Sequence, residues 1–353
     1  MKRHLNLLNS IIFFGMLSPL FTQAGKLEDV EKKKTISKTY NVTSNDKLAI
    51  DNSFGEVIIN TWDKNEIKVD IEITVEAGSE ERAQSLLDHI QVADDRSGNT
   101  ISFKTSTEVK NNNGNSWDKG KKEGNNRKFE INYEVHMPAV NPLKIINQFG
   151  KTTIPDFSGP SNITSKFGSL VAGKLTNVEE LDVEFGTVQV EELHNGKVSL
   201  KFDDHSEIAK LTGTVRLNVE FSGHSRLGVD NRIEELSVNE SYSDLRLMVA
   251  KDLSANFNIH TNFGDFHNRT EFNISEDKED NAENDDSGPK FDKDYMGKSG
   301  EGKAKIKIKS SFGTVRISHP GDNDNEQGEE KERKEKKEKK EKKEKKENED
   351  VSI

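Results

Sequence analysis

The sequence predicts an all-β chain whose main body is a β-solenoid of about 18–21 residues per coil, preceded by a β-rich N-terminal part with one helix. Three observations predict it. Phe-Gly recurs at Phe54, Phe149, Phe167, Phe185, Phe263 and Phe312. Aligned on the aromatic, Phe149, Phe167, Phe185, Phe202, Phe221, Tyr242 and Phe263 follow one another at intervals of 18, 18, 17, 19, 21 and 21 residues. Apolar residues precede each aromatic at two and four positions, as Leu181 and Val183 precede Phe185, and resume at three and five positions, as Val188 and Val190.

That resumption is one residue late for a flat strand, whose faces alternate with period two. The same slip follows Phe54, Phe167 and Phe312. One extra residue that returns the same face inward marks a bulge or corner. The expectation is that the aromatic is the last inward residue of one strand and that the glycine, tolerant of positive φ, turns the chain. Coils stacked about 4.8 Å apart would then align the aromatics in a column. A second register agrees. Leu175, Leu193 and Leu211 are 18 apart, as are Asn177, Asn195, Gly213 and Asn231, whose residue types suit a left-handed corner. The competing reading is an antiparallel sandwich of evenly spaced hairpins.

The N-terminal region, residues 25–140, reads mostly as strands. In "EIKVDIEITVE", Ile67, Val69, Ile71, Ile73 and Val75 share one face. The period then changes. Ala83, Leu86, Leu87 and Ile90 predict a helix near residues 79–92 with Ser79 as N-cap. Ile101 and Phe103 resume a strand, and a Gly/Asn-rich loop separates it from "FEINYEVHMP", which alternates until Pro138. The coils occupy 141–272. An acidic, disordered insertion is expected at 273–303, closing strands at 304–319, and a disordered charged tail at 320–353.

Composition narrows the function. Of 353 residues, 31% are hydrophobic and 33% charged, and the mean hydropathy is −0.84, too polar for one packed core throughout. Lys2 and Arg3, the apolar run Leu5–Leu20 and small residues ending at Ala24 predict a secretory signal over 1–24, hence export to periplasm, cell surface or medium. Asn6, Asn9, Ser10, Gly15 and Pro19 interrupt that run and argue against a membrane anchor; no later stretch reaches spanning length. There is no cysteine, so disulfides, thiolate chemistry, cysteine metal sites and an N-terminal lipidated cysteine are excluded. Residues 331–347 hold eleven Lys/Arg and six Glu, a charge of +5 that leaves about −16 on the remainder. This tail reads as a solvated spacer, or as a salt-sensitive contact with anionic envelope polymers or lipid headgroups. It has no aromatics, which argues with the export signal against nucleic-acid binding.

In order along the chain, "LAIDNSFGEVIINTWDKNEIKVDIEI", "NYEVHMPAVNPLKIINQFGKTTI" and "GEGKAKIKIKSSFGTVRI" resemble the bacterial "putative adhesin" family over about residues 35–318. The resemblance implies an exported β-solenoid of unknown function in the envelope or medium, with no catalytic residues to carry over. The insertion and the tail depart from the family's pattern.

Chemistry is sparse. His205 and His224 each lie three residues after an aromatic, and Asp244 is in the analogous place one coil on. With Asp203 or Asp204 they form a candidate Zn²⁺ or Ni²⁺ ligand set; the alternative is an ordinary solvent-facing row. Asp182, Glu184, Asp203, Asp204, Glu220 and Glu240 are read as outward-facing. Clustered, they could serve a polysaccharide lyase or hydrolase; spread, they are an ordinary solvated sheet face. No Ser-His-Asp order, P-loop or dinucleotide fingerprint is present, and no cofactor is implied. The expectation is a non-catalytic binding or structural module of the envelope, its partners being anionic polymers, glycans or another surface protein.

Overall fold

In the computed structural model, residues 29–107, 128–277 and 291–322 are described. The signal region, the core of the predicted loop, the middle of the acidic insertion and nearly all of the tail lie outside them. Among these residues the fold is all-β with one helix, and the 21 strands belong to one hydrogen-bonded sheet.

The N-terminal region comprises β1 (Val30–Asn41), β2 (Lys47–Ser53), β3 (Val57–Thr61), β4 (Glu66–Ala77), α1 (Glu80–His89), β5 (Gln91–Ser97), β6 (Thr100–Ser106) and β7 (Lys128–Met137). β4 lies between β1 and β7, antiparallel to both. Its predicted apolar face is fully buried. Ser79 caps α1 by accepting a hydrogen bond from the Arg82 amide at 3.3 Å. The helix ends earlier than predicted, because Gln91 already pairs with Ser106 in the β5–β6 hairpin. Ala83, Leu87 and Ile90 bury its inner face.

The chain continues through β8 (Leu143–Gln148), β9 (Lys151–Ile154), β10 (Phe157–Lys166), β11 (Ser169–Glu184), β12 (Thr187–Lys201), β13 (His205–Glu220), β14 (Ser225–Ser241), β15 (Asp244–Val249), β16 (Ala255–Asn262), β17 (Asp265–Asn268), β18 (Asn273–Glu276), β19 (Asp292–Ser299), β20 (Ala304–Ser311) and β21 (Thr314–Ser318). Successive segments pair in parallel, which rules out the antiparallel sandwich. Leu181 stands opposite Val198, and Val198 opposite Leu217. One parallel ladder runs β6–β2–β8–β10–β11–β12–β13–β14–β20–β16. The other runs β7–β3–β9–β11–β12–β13–β14–β15–β21–β17. Between them lies the core of Val, Leu and Ile.

The order is not sequential at the C-terminal end. β20 lies between β14 and β16, and β21 between β15 and β17. The closing strands of the sequence therefore fill the next-to-last place, and residues 255–268 lie outside them. The expected disordered insertion is corrected at both ends. β18 and β19 are strands, because β19 pairs antiparallel with β16 and gives β18 an edge to join.

The second corner is partly as expected. Leu175, Leu193 and Leu211 are buried and in register. Asn195 and Gly213 take positive φ, whereas Asn177 and Asn231 are not among the left-handed residues. Asn177 instead donates to the Ser158 carbonyl at 2.7 Å, and Asn231 to Asp252 at 2.7 Å.

Candidate functional site

The Phe-Gly corners differ from the expectation in both residues. The aromatic, not the glycine, is left-handed: Phe54, Phe149, Phe167, Phe185, Phe202, Phe221, Tyr242, Phe263 and Phe312 have φ between 51° and 66°. This conformation costs an L-residue about 1–2 kcal/mol. It breaks the strand alternation, so a ring that parity would send inward points out of the corner. Phe185 is 47% exposed, and its counterparts from Phe149 to Phe312 are similar.

The glycine is needed for closeness. A Cβ on Gly150 would lie 1.8 Å from the Gly55 carbonyl oxygen, one on Gly168 2.0 Å from that of Gly150, and one on Gly186 2.3 Å from that of Gly168. The corners stack backbone on backbone, and only glycine leaves room.

The rings form a ladder. Phe54, Phe149, Phe167, Phe185, Phe202, Phe221, Tyr242, Phe312, Phe263 and Phe291 stack in that order, with centroids 4.4–5.1 Å apart and planes within 18° of parallel. Phe129 closes one end edge-on to Phe54 at 4.8 Å. Beside that end lies a cleft of about 560 Å³, where Phe54, Phe129 and Phe149 meet Glu56, Lys128 and Lys151. The ring faces are used on one another, so the ladder offers solvent a strip of aromatic edges.

Three corners lack the glycine, and polar residues fill the space. Asp203, Ser222 and Ser243 follow Phe202, Phe221 and Tyr242, and all three are buried. Asp203 accepts from the Gly186 amide at 3.4 Å and the Ser206 hydroxyl at 3.1 Å. Burial pushes its carboxyl up to about 7. Ser222 N–H donates to Ser243 Oγ at 3.0 Å, and Ser243 N–H to Glu240 Oε1 at 2.7 Å. Glu240 also accepts from the Ser310 hydroxyl and occupies the space that a side chain on Gly313 would need. Burial raises its pKa as well.

Asp203 and Glu240 are each 2% exposed, so the reading that placed them outward is corrected. Glu240 sits two residues before its aromatic, on the same inward row as Val183 and Val219. Asp203 takes the glycine's place, because its corner carries one more residue. Asp182, Glu184 and Glu220 are half-buried on the outer face, and Asp204 is exposed.

The candidate metal ligands keep the expected register. Ser206 pairs with Ser225 and Ser225 with Leu245, which places His205, His224 and Asp244 at or just before the starts of successive strands. They are not gathered into a ligand set. His205 points toward Glu207 at 4.0 Å, and Asp244 is ion-paired with Arg316. Among the described residues no group of three or more His, Asp or Glu side chains could hold a metal ion. Among the same residues, no helix is long and apolar enough to cross a membrane.

No family model and no curated protein matches the chain. The chain is similar to solved structures of adhesin-like proteins. A putative cell adhesion protein from Clostridium sporogenes ATCC 15579 is 15% identical, with a TM-score of 0.25 over 82% of this chain and 100% of that one. A putative adhesin from Bacteroides fragilis NCTC 9343 is 13% identical, with a TM-score of 0.29 over 80% of this chain and 97% of that one. A putative lipid binding protein from Parabacteroides distasonis ATCC 8503 is 12% identical, with a TM-score of 0.29 over 80% and 96%. The second carries the same description, putative adhesin, as the family named by the sequence resemblance.

Proposed function

We propose that this chain is an exported, non-catalytic, adhesin-like protein of the cell envelope, acting as a binding or structural module. In this reading residues 1–24 are a cleaved signal and 25–140 an N-terminal cap. Residues 141–272 and 304–319 wind as a β-solenoid, and the basic stretch 331–347 within the charged tail tethers it to anionic envelope material. One observation carries the reading. The side chains best suited to acid–base chemistry, Asp203 and Glu240, are buried and bonded to serines and amides of their own scaffold. The outer rows are regular, polar and of mixed charge, as suits recognition along a surface.

The test is binding of the protein, with and without residues 321–353, to purified cell envelopes at low and high salt. Binding that needs the tail and falls with salt supports an electrostatic tether with the body as scaffold. Salt-resistant binding by the tail-less protein supports recognition by the sheet faces. Turnover of a polysaccharide by the pure protein, or no envelope binding in any condition, overturns the proposal.

A further inference from the structure

We propose that the aromatic ladder is a homodimer interface, on which a second copy lies antiparallel with the twofold axis between Phe185 and Phe202. Three features point to a second copy as the occupant.

The first is area. The rings from Phe149 to Phe312 are 45–52% exposed. At about 100 Å² of exposed ring each, seven of them form a strip of about 700 Å², above the 300–600 Å² of the largest patch on a typical monomer. With the flanking rows it reaches the roughly 800 Å² per partner of a stable interface.

The second is period. A strip of parallel ring edges 4.7–5.1 Å apart from Phe149 to Phe312 fits best against a surface of equal spacing. Stacked β-structures mate in this way through identical side chains. Another copy of this chain carries such a surface.

The third is charge, and it sets the register. The residues just before each aromatic form one row: Ser53, Gln148, Lys166, Glu184, Lys201, Glu220, Ser241 and Ser311, each opposite the next. An antiparallel copy keeps this row on the same side and reverses its order. With the axis between Phe185 and Phe202, Glu184 meets the second copy's Lys201, and Lys166 meets its Glu220. Gln148 meets Ser241, and Ser53 meets Ser311. On the other flank Lys151 faces Asp244, and no like charges meet. Moving the axis to Phe202 would set Lys201 against its own copy and Glu184 against Glu220. Moving it to Phe185 would set Glu184 against its own copy and Lys166 against Lys201. The alternating signs also serve each chain internally, as in the 2.9 Å Lys166–Glu184 ion pair. The test must therefore separate contacts within a chain from contacts between chains.

Sedimentation of the full chain does so. Wild type is expected to dimerise in the micromolar range. Lys201→Glu alone and Glu184→Lys alone should each weaken the dimer about tenfold at low salt, because each homodimer then holds two like-charge pairs. An equimolar mixture of the two variants should recover wild-type affinity, because both pairs are opposite in the heterodimer. Restoration by mixing cannot arise from contacts within one chain or from misfolding. A wild type that stays monomeric at about 100 µM overturns the proposal and leaves the strip to a foreign partner. A mixture no tighter than either variant overturns it too.

Discussion

Tyr242 stacks on Phe312, 4.9 Å away and 2° from parallel, and not on Phe263, the next aromatic in the chain. Phe263 lies on the far side of Phe312, at 5.0 Å. The chain thus leaves one place empty after β15, builds β16 and β17 beyond it, and returns through β18 and β19 to fill it with β20 and β21. A late strand entering between two earlier ones needs contacts that fix its position. Glu240 supplies them, joining the Ser243 amide on one side to the Ser310 hydroxyl on the other.

Glu240→Ala should therefore destabilise the protein by about 2–4 kcal/mol. It removes two buried hydrogen bonds and leaves a void where the carboxyl fills the space over Gly313. Glu240→Gln keeps the shape and an accepting oxygen, and should cost less than half as much. Denaturant melts of the two variants check this. An alanine variant that melts like wild type would remove Glu240 from this role.

The ladder sets two opposing effects on each aromatic. A left-handed Phe carries backbone strain of about 1–2 kcal/mol, and its stacked, half-covered ring offsets it. Phe185→Ala loses the ring and keeps the strain, so a loss of about 2–4 kcal/mol is expected. Phe185→Gly loses the ring and relieves the strain, and should be about 1 kcal/mol more stable than the alanine variant. Ordinary right-handed positions give the reverse order, so the ranking of the two variants tests the backbone assignment.

Glycines in different corners should behave differently. A Cβ on Gly186 would overlap the Gly168 carbonyl, whereas one on Gly223 would meet only the Asp204 carbonyl oxygen at 3.9 Å. Gly186→Ala is expected to cost about 1–3 kcal/mol or more, since backbone must move. Gly223→Ala should lie within about 0.5 kcal/mol of wild type. Equal melting temperatures for the pair would contradict the stacking of glycine on glycine.

Much of this architecture was legible in the sequence, because parallel stacking imposes one spacing on every row. The period, the strand faces, the helix with its Ser79 cap and the aromatic column all follow from local pattern. Three things did not. The parity slip after Phe185 is compatible with either residue being left-handed, and only the gap between Gly186 and Gly168 distinguishes them. The outward turn of the rings follows from that choice. The place of β20 between β14 and β16 depends on pairing across about 70 residues, and Phe312 has the same local sequence wherever it stacks. Asp203 and Glu240 looked like surface acids: a corner with an extra residue puts Asp203 in the glycine's buried place, while the charge of Glu240 masked its inward position two residues before Tyr242.

Asp203 should make stability depend on pH. Burial raises its carboxyl to about 7, against an ordinary value of 3.8 in the unfolded chain. Between those two values the folded form holds a proton that the unfolded form has lost. Stability from this group is thus fully present below about pH 4 and falls as pH rises through about 7, at up to about 1.4 kcal/mol per pH unit. Other groups titrate in the same window, so the comparison is with Asp203→Asn, which keeps the shape and an oxygen for the Gly186 amide. Denaturant midpoints of wild type and variant from pH 4 to 8 should converge at the acid end and separate toward pH 8, the variant being the more stable. Parallel curves would mean that Asp203 stays ionised in its corner, with Ser206 and the Gly186 amide enough to hold the charge.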